Sequence, residues 1–118
     1  MYMLMLVLDD PGKLQAVLNA WEDAGISGAT IVESTGIQRI KARKKLVPLL
    51  FPFNQVGVSH EEEGHLTLFT ILRDEEIIQK CIRATEEVTG NLDLPNTGIL
   101  AVWPITYVKG VANAKDHA

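Results

Sequence analysis

Met3-Leu4-Met5-Leu6-Val7-Leu8-Asp9-Asp10-Pro11 and Thr67-Leu68-Phe69-Thr70-Ile71-Leu72-Arg73-Asp74-Glu75 are the two stretches whose reading decides the fold. Each is a short, largely apolar run with an aspartate two residues beyond its last leucine, Asp10 after Leu8 and Asp74 after Leu72. Such a run, bounded by a helix-capping residue, reads as a buried strand followed by a helix start. Laying Leu4–Leu8 on Leu68–Leu72 also lays Asp10 on Asp74, an offset of 64 residues in both cases.

Each run leads into a helical pattern. After Asp10, Pro11 suits a first helical position, and Leu14, Val17, Leu18 and Trp21 recur at i, i+3, i+4 and i+7. Gly25 ends that pattern. After Asp74, Glu75 and Glu76 place negative charge in a first turn, where the helix dipole favours it. Ile77, Ile78, Cys81, Ile82, Thr85 and Val88 form the second stripe, closed by Gly90. Each half then finishes in a strand. Ala29 to Glu33 is rich in β-branched residues, and Gly98 to Val102 is the last full strand. Ile105 to Val108 reads as a short extra one.

A duplicated β-α-β unit of this kind predicts an α+β, ferredoxin-like βαββαβ sandwich. Its four-stranded antiparallel sheet would carry two helices on one face. The first strand has no polar side, whereas a solvated sheet face alternates with polar residues. The second sheet face is therefore expected to be buried against other subunits, because a monomer would expose a large apolar patch. Between the halves, residues 37–64 are too long for a hairpin loop. This segment is basic from Arg39 to Lys45, apolar from Leu46 to Phe53 and acidic around Glu61, Glu62 and Glu63. Loops of this length commonly carry function; the charged arms suit solvated, loosely paired faces, and the apolar centre would suit docking onto a partner or a neighbouring subunit.

Bulk properties narrow the classes. A chain of 118 residues, 47% hydrophobic, fits one domain with a real core. The net charge of −4 and the lack of stacking aromatics argue against nucleic acid as partner. The longest apolar run is broken by Pro48 and Pro52 and is too short to span a membrane. The apolar Met1–Leu8 lacks a basic leader and is expected to be a strand, not a signal peptide. The lone Cys81 cannot form an internal disulfide, which points to a reducing cytoplasm. Its place on a helix stripe marks it as a buried, inert thiol. Core packing is the expected role of Trp21; Trp103, at the strand end, suits either the lining of a cleft between subunits or packing, of which packing is favoured. No serine or cysteine has a histidine and acid at a recognised spacing, and no phosphate-binding glycine motif is present, so no enzyme activity is expected. His60 and His65, flanking Glu61, Glu62 and Glu63, form a weak candidate metal site.

Gly28-Ala29-Thr30-Ile31-Val32-Glu33-Ser34-Thr35-Gly36-Ile37-Gln38-Arg39 resembles the second strand and the start of the T-loop in the PII (GlnB-type) nitrogen regulatory family. Thr89-Gly90, followed by Gly98-Ile99-Leu100-Ala101-Val102-Trp103-Pro104, resembles that family's B-loop and fourth strand. The resemblance spans residues 1–111, a single domain with residues 112–118 as a tail. It implies a cytoplasmic homotrimer that binds a small effector, an adenine nucleotide in this family, in clefts between subunits. It also implies signalling to a target protein through the central loop. Carried over position by position, it implies ligand contacts at Thr30, Gly36, Gln38, Arg39 and Gly98. Departures are plain. Ile99 stands at a usually basic position, and Asn91-Leu92-Asp93-Leu94-Pro95-Asn96 replaces a glycine- and lysine-rich turn. Only Lys109 lies near the arginine pair expected after the last strand, and the central loop has no tyrosine for uridylylation. The alternative resemblance is to CutA-type trimers, which share the topology and are linked to divalent metals.

Overall fold

A computed structural model describes residues 1–34 and 65–111. The predicted order is present: β1 (Tyr2–Leu8), α1 (Leu14–Asp23), β2 (Thr30–Ser34), β3 (His65–Leu72), α2 (Glu75–Thr89) and β4 (Gly98–Pro104). The strands form one sheet in the order β2-β3-β1-β4, and every neighbouring pair is antiparallel. This is the α+β, ferredoxin-like arrangement expected from the duplicated pattern.

The two helix starts use their aspartates differently. Asp74 Oδ1 accepts the Ile77 amide at 3.0 Å, and α2 begins at once. Asp10 Oδ1 instead accepts the Gly12 amide at 2.9 Å, two residues on, and a 3-10 turn at Pro11–Lys13 precedes α1. The shorter bonding reach tightens the first turn. At its other end, α1 closes with a Schellman pattern. Ile26 donates to the Trp21 carbonyl (2.9 Å) and Gly25 to that of Glu22 (3.0 Å), with Gly25 at φ +96°. Ile26 is thereby turned into the core.

The sheet register separates the two faces. Leu4, Leu6 and Leu8 lie level with Thr70, Leu68 and Leu66 on the helix side. Leu4, Leu6, Leu8 and Leu68 are completely buried, together with Val17 and Cys81 from the helices. Burying a leucine side chain contributes ~1.5–3 kcal/mol, so this layer dominates stability. Val17 and Cys81 occupy equivalent positions in the two halves, and so do Trp21 and Thr85. The latter pair meets: Trp21 Nε1 donates to Thr85 Oγ1 at 2.8 Å, across a sequence separation of 64. The Thr85 hydroxyl in turn donates to the Cys81 carbonyl at 2.7 Å. The internal repeat is thus joined to itself at a buried hydrogen bond between its two helices. Burial pushes the Cys81 thiol up to about 12, against a smaller lowering by its hydrogen bond with Thr85.

Two expectations change. Residues 105–108 form no strand. Ile105 makes one further backbone bond, to the Met1 carbonyl (2.9 Å), where β1 runs out of partner residues. β4 instead extends to Pro104, paired with Tyr2. Trp103 does not pack away but stays 43% exposed, because its row lies on the sheet face the helices do not cover.

Candidate functional site

The uncovered face is built from the alternate residues of the same strands. Met3, Met5 and Val7 lie level with Ile71, Phe69 and Thr67 on one side and with Trp103, Ala101 and Ile99 on the other. Within one chain Met3, Met5, Val7, Phe69 and Ile71 are only half-buried.

A groove of about 290 Å³ opens at the β2 end of this face. Met3, Phe69 and Ile71 supply its floor from β1 and β3. Ser27, Gly28, Ala29 and Thr30 supply one wall, and Val111 reaches it from the C-terminal side. The turn that ends α1 delivers this wall to the sheet edge. Thr70, which also lines the groove, pins it by donating from Oγ1 to the Gly28 carbonyl at 2.6 Å. None of the described lining residues is charged. The volume sits near the lower end of the ~300–1,000 Å³ typical of ligand pockets, enough for one ring system with hydroxyl partners.

Of the two predicted ligand-contact residues that are described, Thr30 lies in this groove. Gly98 lies elsewhere, at the start of the opposite outer strand. Three strand spacings of ~4.8 Å separate β2 from β4, or ~14 Å across the sheet. The register adds three residue rows, since Thr30 is level with Phe69, Met5 and Ala101, and Gly98 with Leu8. Gly98 also has a reason internal to the fold to be glycine. It has φ +130°, and a Cβ there would lie 2.5 Å from the Val7 carbonyl oxygen. Gly36, Gln38, Arg39 and His60 lie outside the described residues, as do the basic and apolar zones of the central segment.

The loop that the resemblance assigns to phosphate is bonded to itself. The Leu92 amide donates to Glu86 Oε2 (2.9 Å) and the Asp93 amide to Asn91 Oδ1 (2.9 Å). The Leu94 amide donates to the Asn91 carbonyl (3.0 Å), and Thr97 Oγ1 donates to that of Leu94 (2.7 Å). An anion-binding nest needs free amides or cations. Here three consecutive amides are already engaged, and the charges nearby are the carboxylates of Glu86 and Asp93.

His65 opens β3 opposite Ser34. Ser34 Oγ lies 2.7 Å from Thr67 Oγ1 and donates to the His65 carbonyl at 3.3 Å. The buried His65 Nδ1 atom has no hydrogen-bond partner among the described residues. Among the described residues, no three histidines, cysteines or carboxylates come together as a metal site, and no helix is long and apolar enough to cross a membrane. Sequence reasoning missed the groove's other members. Met3, Phe69 and Ile71 are indistinguishable from core residues in a wholly apolar strand, and only the register assigns them to the uncovered face.

Fold and site together define a ferredoxin-like sandwich with an uncharged groove on an apolar, uncovered sheet face. No family model and no curated protein matches the chain.

Proposed function

We propose that this protein is a PII-like regulatory trimer. It binds a small effector in clefts between subunits and signals to a target protein through residues 37–64. The observation that carries the reading is the uncovered sheet face. Its half-buried Met3, Met5, Val7, Phe69 and Ile71 form a surface that a monomer would leave in water. The groove at Thr30 adds support, being shaped for an uncharged ring with hydrogen-bonding edges, such as the base of an adenine nucleotide. The separation of Thr30 from Gly98 supports a cleft between subunits, because one small ligand does not span both within a chain. The mechanism is population shift: effector binding favours one arrangement of the complex and so changes affinity for the target.

Two measurements test the reading. Light scattering after size-exclusion chromatography should give a three-chain mass, and a monomer refutes the trimer. A thermal-shift screen of ATP, ADP and AMP should raise the melting temperature, since a ligand of the folded state stabilises it by mass action. Thr30→Ala and Arg39→Ala should reduce that shift, and no shift with any of the three refutes the nucleotide. The unpartnered His65 Nδ1 favours one second reading, a CutA-like trimer that binds a divalent metal. Zinc, copper or nickel would then stabilise the wild type but not His65→Ala.

A further inference from the structure

All three methionines of the chain, Met1, Met3 and Met5, stand at alternate positions in its first five residues. Alternation along β1 turns Met3 and Met5 to the uncovered face, while Leu4 and Leu6 enter the core. Met1, whose carbonyl accepts the Ile105 amide at 2.9 Å, continues the same row. Thioethers are an uncommon choice there. A sheet surface favours β-branched and aromatic residues, and the flanking rows comply with Ile71, Phe69 and Thr67 on β3 and with Trp103 and Ile99 on β4. The central strand departs from that preference at Met3 and Met5.

The geometry suits one bound ion. Residues two apart on a strand have Cα atoms ~6.7 Å apart. Two sulfurs binding one metal from opposite sides, at ~2.3 Å each, lie ~4.6 Å apart. Methionine has three rotatable bonds, so each sulfur needs to lean only ~1 Å towards the other. Trp103 is level with Met3 and diagonal to Met5, and the residue level with Met5 on β4 is the small Ala101. The indole therefore has room to lie over the pair. An aromatic face attracts a cation within ~6 Å of its centre.

We infer that Met3 and Met5 form a two-thioether site for a soft monovalent cation, Cu(I), with the Trp103 ring against the bound ion. The donor type selects the metal: thioethers suit Cu(I), whereas divalent ions draw on imidazole and carboxylate. The residues level with the pair are Ile71, Phe69, Trp103 and Ala101, which offer neither. Neutral ligands on a single charge also limit the cost of desolvating the ion. His65 opens β3 six rows from Ile71, ~20 Å along the strand, so this site is separate from any metal held there. It is complete within one chain and does not rest on the trimer proposed above.

The probes are Ag(I), a redox-inert stand-in, and Cu(I) supplied without oxygen against a competing chelator. The wild type should bind one ion per chain, with a fall in tryptophan emission. Met3→Leu with Met5→Leu keeps the apolar volume and should weaken binding at least tenfold at an unchanged melting temperature. Should that pair melt lower, Met5→Leu alone gives the same reading. Trp103→Phe should bind the ion without the fall in emission, since Trp21 is buried on the other side of the sheet. Cys81→Ala and His65→Ala should bind as the wild type does, and Zn(II) should not compete. No binding by the wild type, or undiminished binding by the leucine variants, overturns the site and leaves methionine as packing. Loss of binding in Cys81→Ala or His65→Ala moves the ion to that side chain and equally overturns it. An emission change that survives in Trp103→Phe removes the ring from the site.

Discussion

Thr85→Val should destabilise the protein far more than the loss of one oxygen implies, and only while Trp21 is present. The substitution keeps the side-chain shape and removes the acceptor that holds Trp21 Nε1 at 2.8 Å. Trp21 is 2% exposed and Thr85 is fully buried, so water cannot replace that acceptor. A buried donor left without a partner costs ~1–3 kcal/mol. The hydroxyl's own bond to the Cys81 carbonyl is a lesser loss, since that carbonyl still accepts within the helix. The expected total is about 2 kcal/mol. For a chain of this size that is a drop of roughly 6–12 °C in melting temperature. The assay is urea unfolding followed by far-UV circular dichroism at fixed protein concentration, in wild type, Thr85→Val, Trp21→Phe and the double variant. Trp21→Phe is itself costly, because it opens space in the core. In that background no indole N–H remains to be stranded, and adding Thr85→Val should cost less than about 0.5 kcal/mol. Equal costs in both backgrounds would refute the claim that this bond joins the two halves.

The backbone and the core supply two further expected outcomes. Gly98→Ala should lower stability by more than ~1 kcal/mol even without any ligand, because φ is +130° and the added Cβ meets the Val7 carbonyl. A melting temperature equal to the wild type would mean the constraint at this position is not steric. Cys81, with its thiol pushed up to about 12 from an ordinary 9.0, should react with a thiol probe at pH 8 only as fast as the protein opens. Because the folded state holds this proton more tightly than the unfolded state, the associated stability is intact below pH 9 and is lost as pH rises from about 9 towards 12. A Cys81→Ala variant should lack that component of the alkaline decline.

The fold was legible because the sequence repeats its own grammar. Each apolar run with an aspartate two residues beyond it predicts a strand and a helix start, and the shared offset of 64 predicts that the helices are equivalent. The Trp21–Thr85 bond then spans the same 64 residues, a link that neither helix stripe reveals alone. Boundaries were less legible where the tertiary partner decides them. Nothing local distinguishes Trp103-Pro104 as strand, because β4 continues only as far as β1 offers partners. The 3-10 turn at Pro11–Lys13 depends on Asp10 bonding two residues ahead instead of three, a choice invisible in the residue types.

The site was less legible, for a reason tied to the apolar strands themselves. In a strand with a polar side, alternation labels which residues face water and which face the core. β1 has no such label, so Met3 reads the same as Leu4, although one lines the groove and the other is the centre of the core. Glycine misleads in the opposite way. Gly98 matches a motif position, yet its contact with the Val7 carbonyl would demand glycine with no ligand at all. Thr30 has the stronger claim of the two, because it is exposed, sits in the groove and has no packing duty. A residue that binds a ligand should be one the fold alone does not require, and by that criterion the proposed recognition falls to β2 and the turn before it. The loop before β4 has the amides of Leu92, Asp93 and Leu94 already engaged, beside the carboxylates of Glu86 and Asp93, so it is poorly suited to hold an anion.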